Sequence, residues 1–115
     1  MNKMKILPPT LREKKRYISF QVISEDPIEY SDLEAAIWNT MLDFLGEYGV
    51  SKTSVWLMKD LWNMDYQIGV ISCNNKSVQE VVATLGLIDR LGDIRVSFKI
   101  GRVSGTIKGT KQKSI

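Results

Sequence analysis

DIRVSFKIG, residues 93–101, alternates apolar and polar side chains without a fault. Ile94, Val96, Phe98 and Ile100 fall on one side, Arg95, Ser97 and Lys99 on the other, the period of two that a half-buried strand requires. Working outward from this last strand, RYISFQVIS (16–24) repeats the rhythm, with Ile18, Phe20 and Val22 opposed to Tyr17, Ser19 and Gln21. Two further strands are predicted at Thr53–Asp60 (TSVWLMKD) and Tyr66–Cys73 (YQIGVISC), joined by Leu61–Asp65, a connection short enough for a hairpin. In the first of these Val55 and Leu57 point one way, Trp56 and Met58 the other.

Helices fill the two remaining gaps. Ser31-Asp32-Leu33-Glu34 has the form of a capping box, in which the Ser hydroxyl and the Glu carboxylate satisfy each other's backbone amides. The helix it opens is expected to stop at Gly46 or Gly49, with Leu33, Ile37, Met41 and Phe44 in one stripe. Trp38, Leu42 and Leu45 widen that stripe to roughly half the circumference, more than a sheet needs to cover. Trp38 and Leu42 therefore either close the sheet margin or meet a protein partner. A second box, Ser77-Val78-Gln79-Glu80, opens a helix whose Val78, Val81, Val82, Leu85 and Ile88 share a face. The order strand, helix, strand, strand, helix, strand predicts an α+β, ferredoxin-like β-α-β-β-α-β sandwich, an antiparallel sheet with both helices on one face. A basic extended arm (1–15), stiffened by Pro8-Pro9, precedes this domain (16–103), and a basic tail (104–115) follows it.

Charge is segregated along the chain. Residues 1–16 hold six bases against Glu13, residues 99–115 hold five bases and no acid, and the segment between carries a net −7 under an overall +3. Lys5, Arg12, Lys14, Lys15 and Arg16 at one end, and Lys99, Arg102, Lys108, Lys111 and Lys113 at the other, suit a polyanion. Each base placed on a phosphate releases condensed counterions. Ser104-Gly105-Thr106 adds neutral donors around a residue without a side chain, read either as a close approach to phosphate or as a plain turn. The surplus apolar residues Trp38, Leu42, Trp56 and Met58 are the candidate protein-partner set.

Chemistry borne by the protein is not expected. The chain has no histidine and one cysteine, Cys73 in an apolar run, so Ser-His and Cys-His nucleophiles and Cys/His zinc sites are ruled out. Glu25-Asp26 and the Asp89/Asp93 pair border turns, where solvated charges are the ordinary state. No Gly-Lys-Ser/Thr phosphate loop is present. A single cysteine, no long apolar run and no signal-like start predict a chain of the cytoplasm that contacts no membrane. Base stacking in the manner of an RNA-recognition motif finds little support, because YQIGVISC lacks the basic-Gly-aromatic pattern and leaves only Tyr17 to stack on.

The ends of the chain carry a resemblance. Leu7-Pro8-Pro9-Thr10-Leu11-Arg12-Glu13-Lys14-Lys15-Arg16-Tyr17-Ile18, Ala36-Ile37-Trp38-Asn39 with Leu45-Gly46-Glu47, and Val103-Ser104-Gly105-Thr106-Ile107-Lys108 closely resemble the archaeal ribonuclease P protein component 2 family, in order and at matching spacing. The resemblance implies a non-catalytic subunit of the endoribonuclease that removes the 5′ leader from precursor tRNA. The active site is then in the RNA, with Mg²⁺ held by the RNA and no cofactor on the protein. It implies ribonuclease P RNA, ribonuclease P protein component 3 (two copies of each) and other ribonuclease P proteins as partners, and precursor tRNA indirectly. A different class of function is a small ferredoxin-like regulatory or ligand-binding module with unrelated basic tails.

Overall fold

Alternation in the sequence becomes a two-sided sheet in the structure, a computed structural model that describes residues 14–106. The elements run β1 (Lys15–Ser24), α1 (Tyr30–Thr53), β2 (Trp56–Leu57), a short 3-10 helix (Lys59–Leu61), β3 (Ile68–Asn74), α2 (Val78–Leu87), β4 (Arg90–Leu91) and β5 (Ile94–Ser104). All pairings are antiparallel, in the order β2-β3-β1-β5-β4. Apart from the two-residue β4, this is the predicted interleaving of two β-α-β halves. Ile18, Phe20, Val22, Leu57, Ile71, Cys73 and Val96 lie on one side of the sheet and pack in one cluster with Leu33, Ile37 and Met41 of α1 and Val81 and Leu85 of α2. Both helices thus cover the same face, and among the described residues no helix covers the other, the open face.

Several elements depart from expectation. Helix α1 begins at Tyr30, with Glu29 in the N-cap position and no side-chain cap bond, so the Ser31/Glu34 capping box does not form. Tyr30 packs its ring on Trp62, centroids 6.4 Å apart. Drawing Tyr30 into the first turn moves the start upstream of Ser31. At α2, Ser77 does take the N-cap position, without a side-chain bond; the preceding turn is closed by Asn74, whose Oδ1 accepts from the Lys76 amide.

Gly46 breaks α1 at φ 75°, ψ 170°, and the chain then resumes its helix as far as Thr53. The break redirects the second segment so that Val50 and Thr53 reach the core. Phe44, expected on the buried stripe, lies before the break and is 49 % exposed. Extending the helix to Thr53 also shortens β2 to two residues, because Thr53 and Ser54 are used in the helix end and its left-handed turn. β-branched Val50 and Thr53 suit a strand by propensity, and burial on the core overrides it within α1. The hairpin of Arg90-Leu91 with Arg95-Ile94 around Gly92-Asp93 extends β5 with an added edge strand.

Candidate nucleic-acid interface

Because β1 and β5 are antiparallel neighbours, the start of one lies beside the end of the other, with Tyr17 opposite Ser104. The described chain therefore enters β1 and leaves β5 at the same end of the domain. A Cβ added to Gly105 would stand 3.4 Å from Arg16 Nη1, which measures how close the two ends come. β3 also ends here: Lys15 is opposite Asn74, and the Asn75 amide donates to the Lys14 carbonyl at 2.7 Å. Asn74 Nδ2 donates to the Lys52 carbonyl and brings in the last turn of α1. Lys14, Lys15, Arg16, Lys52, Lys76 and Arg102 thus gather from three strand ends and one helix end. Glu25, Asp26, Asp60, Asp65, Asp89 and Asp93 lie on connections at the opposite end. Lys5, Arg12, Lys108, Lys111 and Lys113 fall outside the described residues.

The register of β5 slips once, between the Phe20–Ile100 and Ile18–Val103 pairs. One residue of β1, Ser19, is then faced by two of β5, Gly101 and Arg102, the arrangement of a β-bulge. Ser19 is buried, and its Oγ accepts from the Arg102 amide at 2.7 Å and donates to the Arg102 carbonyl at 3.4 Å. Strict alternation from Ile100 would send Arg102 to the helix side. The extra residue resets the count, so Arg102 and Ser104 join Lys99, opposite Gln21, on the open face, and Val103 turns to the side of Ile18.

Ser104 Oγ accepts from the Thr106 amide at 3.1 Å and closes a turn over Arg16. That amide is engaged within the chain, which favours the turn reading of Ser104-Gly105-Thr106. Trp38 packs partly buried against the core, whereas Leu42 on the next turn is 41 % exposed. Trp56 is 64 % exposed and Met58 half-buried. Trp56 is opposite Ser72, which is opposite Tyr17, so Trp56 stands on the open face in the same cross-strand row as Tyr17 and Ser104. Sequence reading missed this row, because assigning Trp56 and Tyr17 to one face requires the β2-β3-β1 pairing.

At the acidic end, Gln67 adopts φ 55° and ties three segments together. Its Nε2 donates to the Val22 carbonyl (2.8 Å) and Ser24 Oγ (3.1 Å), and its Oε1 accepts from the Ile28 amide (2.9 Å). Burial pushes the Cys73 thiol up to about 11, so it stays neutral and unreactive at physiological pH. Burial, then the charges of Glu34 and Asp60, raise the Tyr30 hydroxyl above its ordinary value. No helix among the described residues is long and apolar enough to cross a membrane.

The sequence model of the Rpp14/Pop5 family matches residues 16–115. Among named relatives, ribonuclease P protein component 2 of Pyrococcus furiosus is 43 % identical over 109 residues, covering 95 % of this chain and 89 % of the relative. The component 2 proteins of Thermococcus kodakarensis and Methanothermobacter thermautotrophicus are each 38 % identical, covering 96 % and 97 % of this chain and 91 % and 94 % of the relative. A chain in the cryo-EM structure of yeast ribonuclease MRP superposes with a TM-score of 0.61 at 13 % identity, over 83 % of this chain and 76 % of that one, a likeness of fold.

Proposed function

The chain belongs to the Rpp14/Pop5 family, and from that membership we propose that it is a non-catalytic protein subunit of ribonuclease P, supporting an RNA that cleaves the 5′ leader from precursor tRNA in the cytoplasm. The observation that carries this reading is the near-full-length match to relatives named ribonuclease P protein component 2. In this role the protein contributes positioning and electrostatics, and the Mg²⁺ that serves the cleavage is held by the RNA. Gathering Lys14, Lys15, Arg16 and Arg102 at one end supports that role, because phosphate contacts made there hold the start of β1 and the end of β5 to one RNA segment. Lys5, Arg12, Lys108, Lys111 and Lys113 are proposed as further phosphate contacts. Ser104, Gly105 and Thr106 shape its margin.

The acidic far end then faces away from the RNA or toward a protein. For the protein partner we propose ribonuclease P protein component 3, two copies of each, with other ribonuclease P proteins beyond it. The exposed Leu42 beside Trp38 is the apolar surface on α1 offered to it.

Purifying the full chain from its own cells tests the reading. A structured RNA that co-purifies and is lost on nuclease treatment, with precursor-tRNA cleavage in the RNA-containing fraction, is the expected result. Absence of any associated RNA would refute it and favour a regulatory module. Removing residues 1–15 is expected to flatten the salt dependence of RNA binding by roughly 0.7–0.9 in log-log slope per lost phosphate contact.

A further inference from the structure

The open face of the sheet is unlike an ordinary solvent face. Its floor is made of small side chains, Ser19, Val70 and Ser72, all buried by their neighbours. Two aromatic rings rise from that floor, Trp56 on the edge strand β2 and Tyr17 on the central strand β1, with Ser72 between them in one row. The strand positions of the same face carry Lys15, Arg90, Arg95, Lys99 and Arg102 and no acid.

We propose that this face is a stacking platform for single-stranded RNA, with one base on Trp56, one on Tyr17, and Lys15, Lys99 and Arg102 along the sugar-phosphate path. The proposal rests on the reading of the chain as an RNA-binding subunit and names the form of RNA that its sheet accepts. Three features select the occupant. First, charge: strand positions with five cations and no anion suit a polyanion and would oppose the mixed surface of most proteins. Second, spacing: Trp56 and Tyr17 are two strands apart, about 10 Å at ordinary inter-strand separation. That is roughly three times the 3.4 Å step between stacked bases of a duplex. Bases lying flat on both rings must be unstacked from each other, so the face accepts a loop or bulge and not a helix. Third, the bulge at Gly101-Arg102 turns a guanidinium toward this face that simple alternation would have put on the other. Tyr17 therefore does not stand alone, and Trp56 passes from the protein-partner set to the RNA-binding one.

Binding of the full chain to fluorescein-labelled octauridylate, to an RNA duplex of the same length and to ribonuclease P RNA tests the platform. Octauridylate is expected to bind more tightly than the duplex. Trp56→Ala is expected to weaken octauridylate binding roughly 5- to 150-fold, the range for loss of one stacked base, without changing the salt slope, and Trp56→Phe to restore most of the loss. Trp56 is exposed, so its thermal unfolding is expected to match wild type. Lys99→Ala is the complementary probe, lowering the salt slope by about 0.7 for a single-strand contact.

Equal binding of octauridylate by wild type and Trp56→Ala would overturn the platform. So would a Trp56→Ala chain that keeps its RNA affinity and loses association with component 3. If wild type holds ribonuclease P RNA and ignores octauridylate, the platform falls while the subunit reading stands. If it holds neither RNA, both fall.

Discussion

Replacing Gly101 by Ala places a methyl group 2.6 Å from Ser19 Oγ, closer than any relaxed contact allows. The backbone carbonyl of Ser19 is 3.4 Å from the same point and Ser19 Cβ 3.7 Å, both tolerable. The hydroxyl is thus the one atom that cannot accommodate the methyl. Ser19 is 5 % exposed in the middle of a central strand, so the clash can be relieved only by shifting packed backbone or by losing the bond from the Arg102 amide. Gly101→Ala is expected to cost about 1–3 kcal/mol, the range for overpacking. Ser19→Ala removes the hydroxyl that accepts from the Arg102 amide at a part-buried site, about 0.5–1.5 kcal/mol, the net worth of one hydrogen bond. In the double variant the offending oxygen is gone, so the alanine at 101 adds little beyond the Ser19→Ala cost. The two changes are expected to be less than additive by about 1–3 kcal/mol, well above the ~0.5 kcal/mol scatter of independent sites. Urea unfolding of the four chains measures this coupling through their midpoints. Additive costs would show that Ser19 and Gly101 do not share the bulge.

Three other outcomes are expected. Gly46→Ala should destabilise by about 1–3 kcal/mol, since φ 75°, ψ 170° is open essentially to glycine alone, although no atom would crowd the new Cβ. Helix propensity predicts the opposite sign, a gain of about 0.5–1 kcal/mol if α1 simply straightened, so unfolding measurements separate the two. The Cys73 thiol titrates near 9.0 when unfolded and near 11 when folded, so its contribution to stability is complete below pH 9 and declines as pH rises from about 9 to about 11. The limiting slope is about 1.4 kcal/mol per pH unit; a Cys73→Ala chain with the same alkaline decline would refute the assignment. Trp38→Ala should cost about 2–3 kcal/mol of fold stability, below the 3–5 of a fully buried Trp, and Leu42→Ala less than about 0.5 kcal/mol while weakening association with component 3. A Trp38→Ala chain that unfolds like wild type would remove Trp38 from the core.

Local periodicity was enough to read the long strands and both helices, because β1, β5 and α2 each bury one face, and burying one face writes a period of 2.0 or 3.6 into the residues. Ile18, Phe20 and Val22, Ile94 to Ile100, and Val81 with Leu85 all lie where their spacing puts them. The order of these elements was equally enough for the ferredoxin-like topology, since few arrangements satisfy short, right-handed connections. Failures came where a distant contact outweighed a local preference. Tyr30 on Trp62 shifted the start of α1; burial of Val50 and Thr53 beyond Gly46 lengthened that helix and shortened β2.

The basic residues were legible as two separate runs, and their convergence was not, because adjacency of β1 and β5 is a pairing between residues some eighty positions apart. Gly101 was visible as the end of a clean alternation; its partner Ser19 was not, nor was the reversal of Arg102 that follows. Trp56 read from its own strand is merely a second apolar face. Only the β2-β3-β1 pairing sets it beside Tyr17 on a basic surface, because residues that share a face of a sheet are set by register across strands, and register is a property of the folded chain.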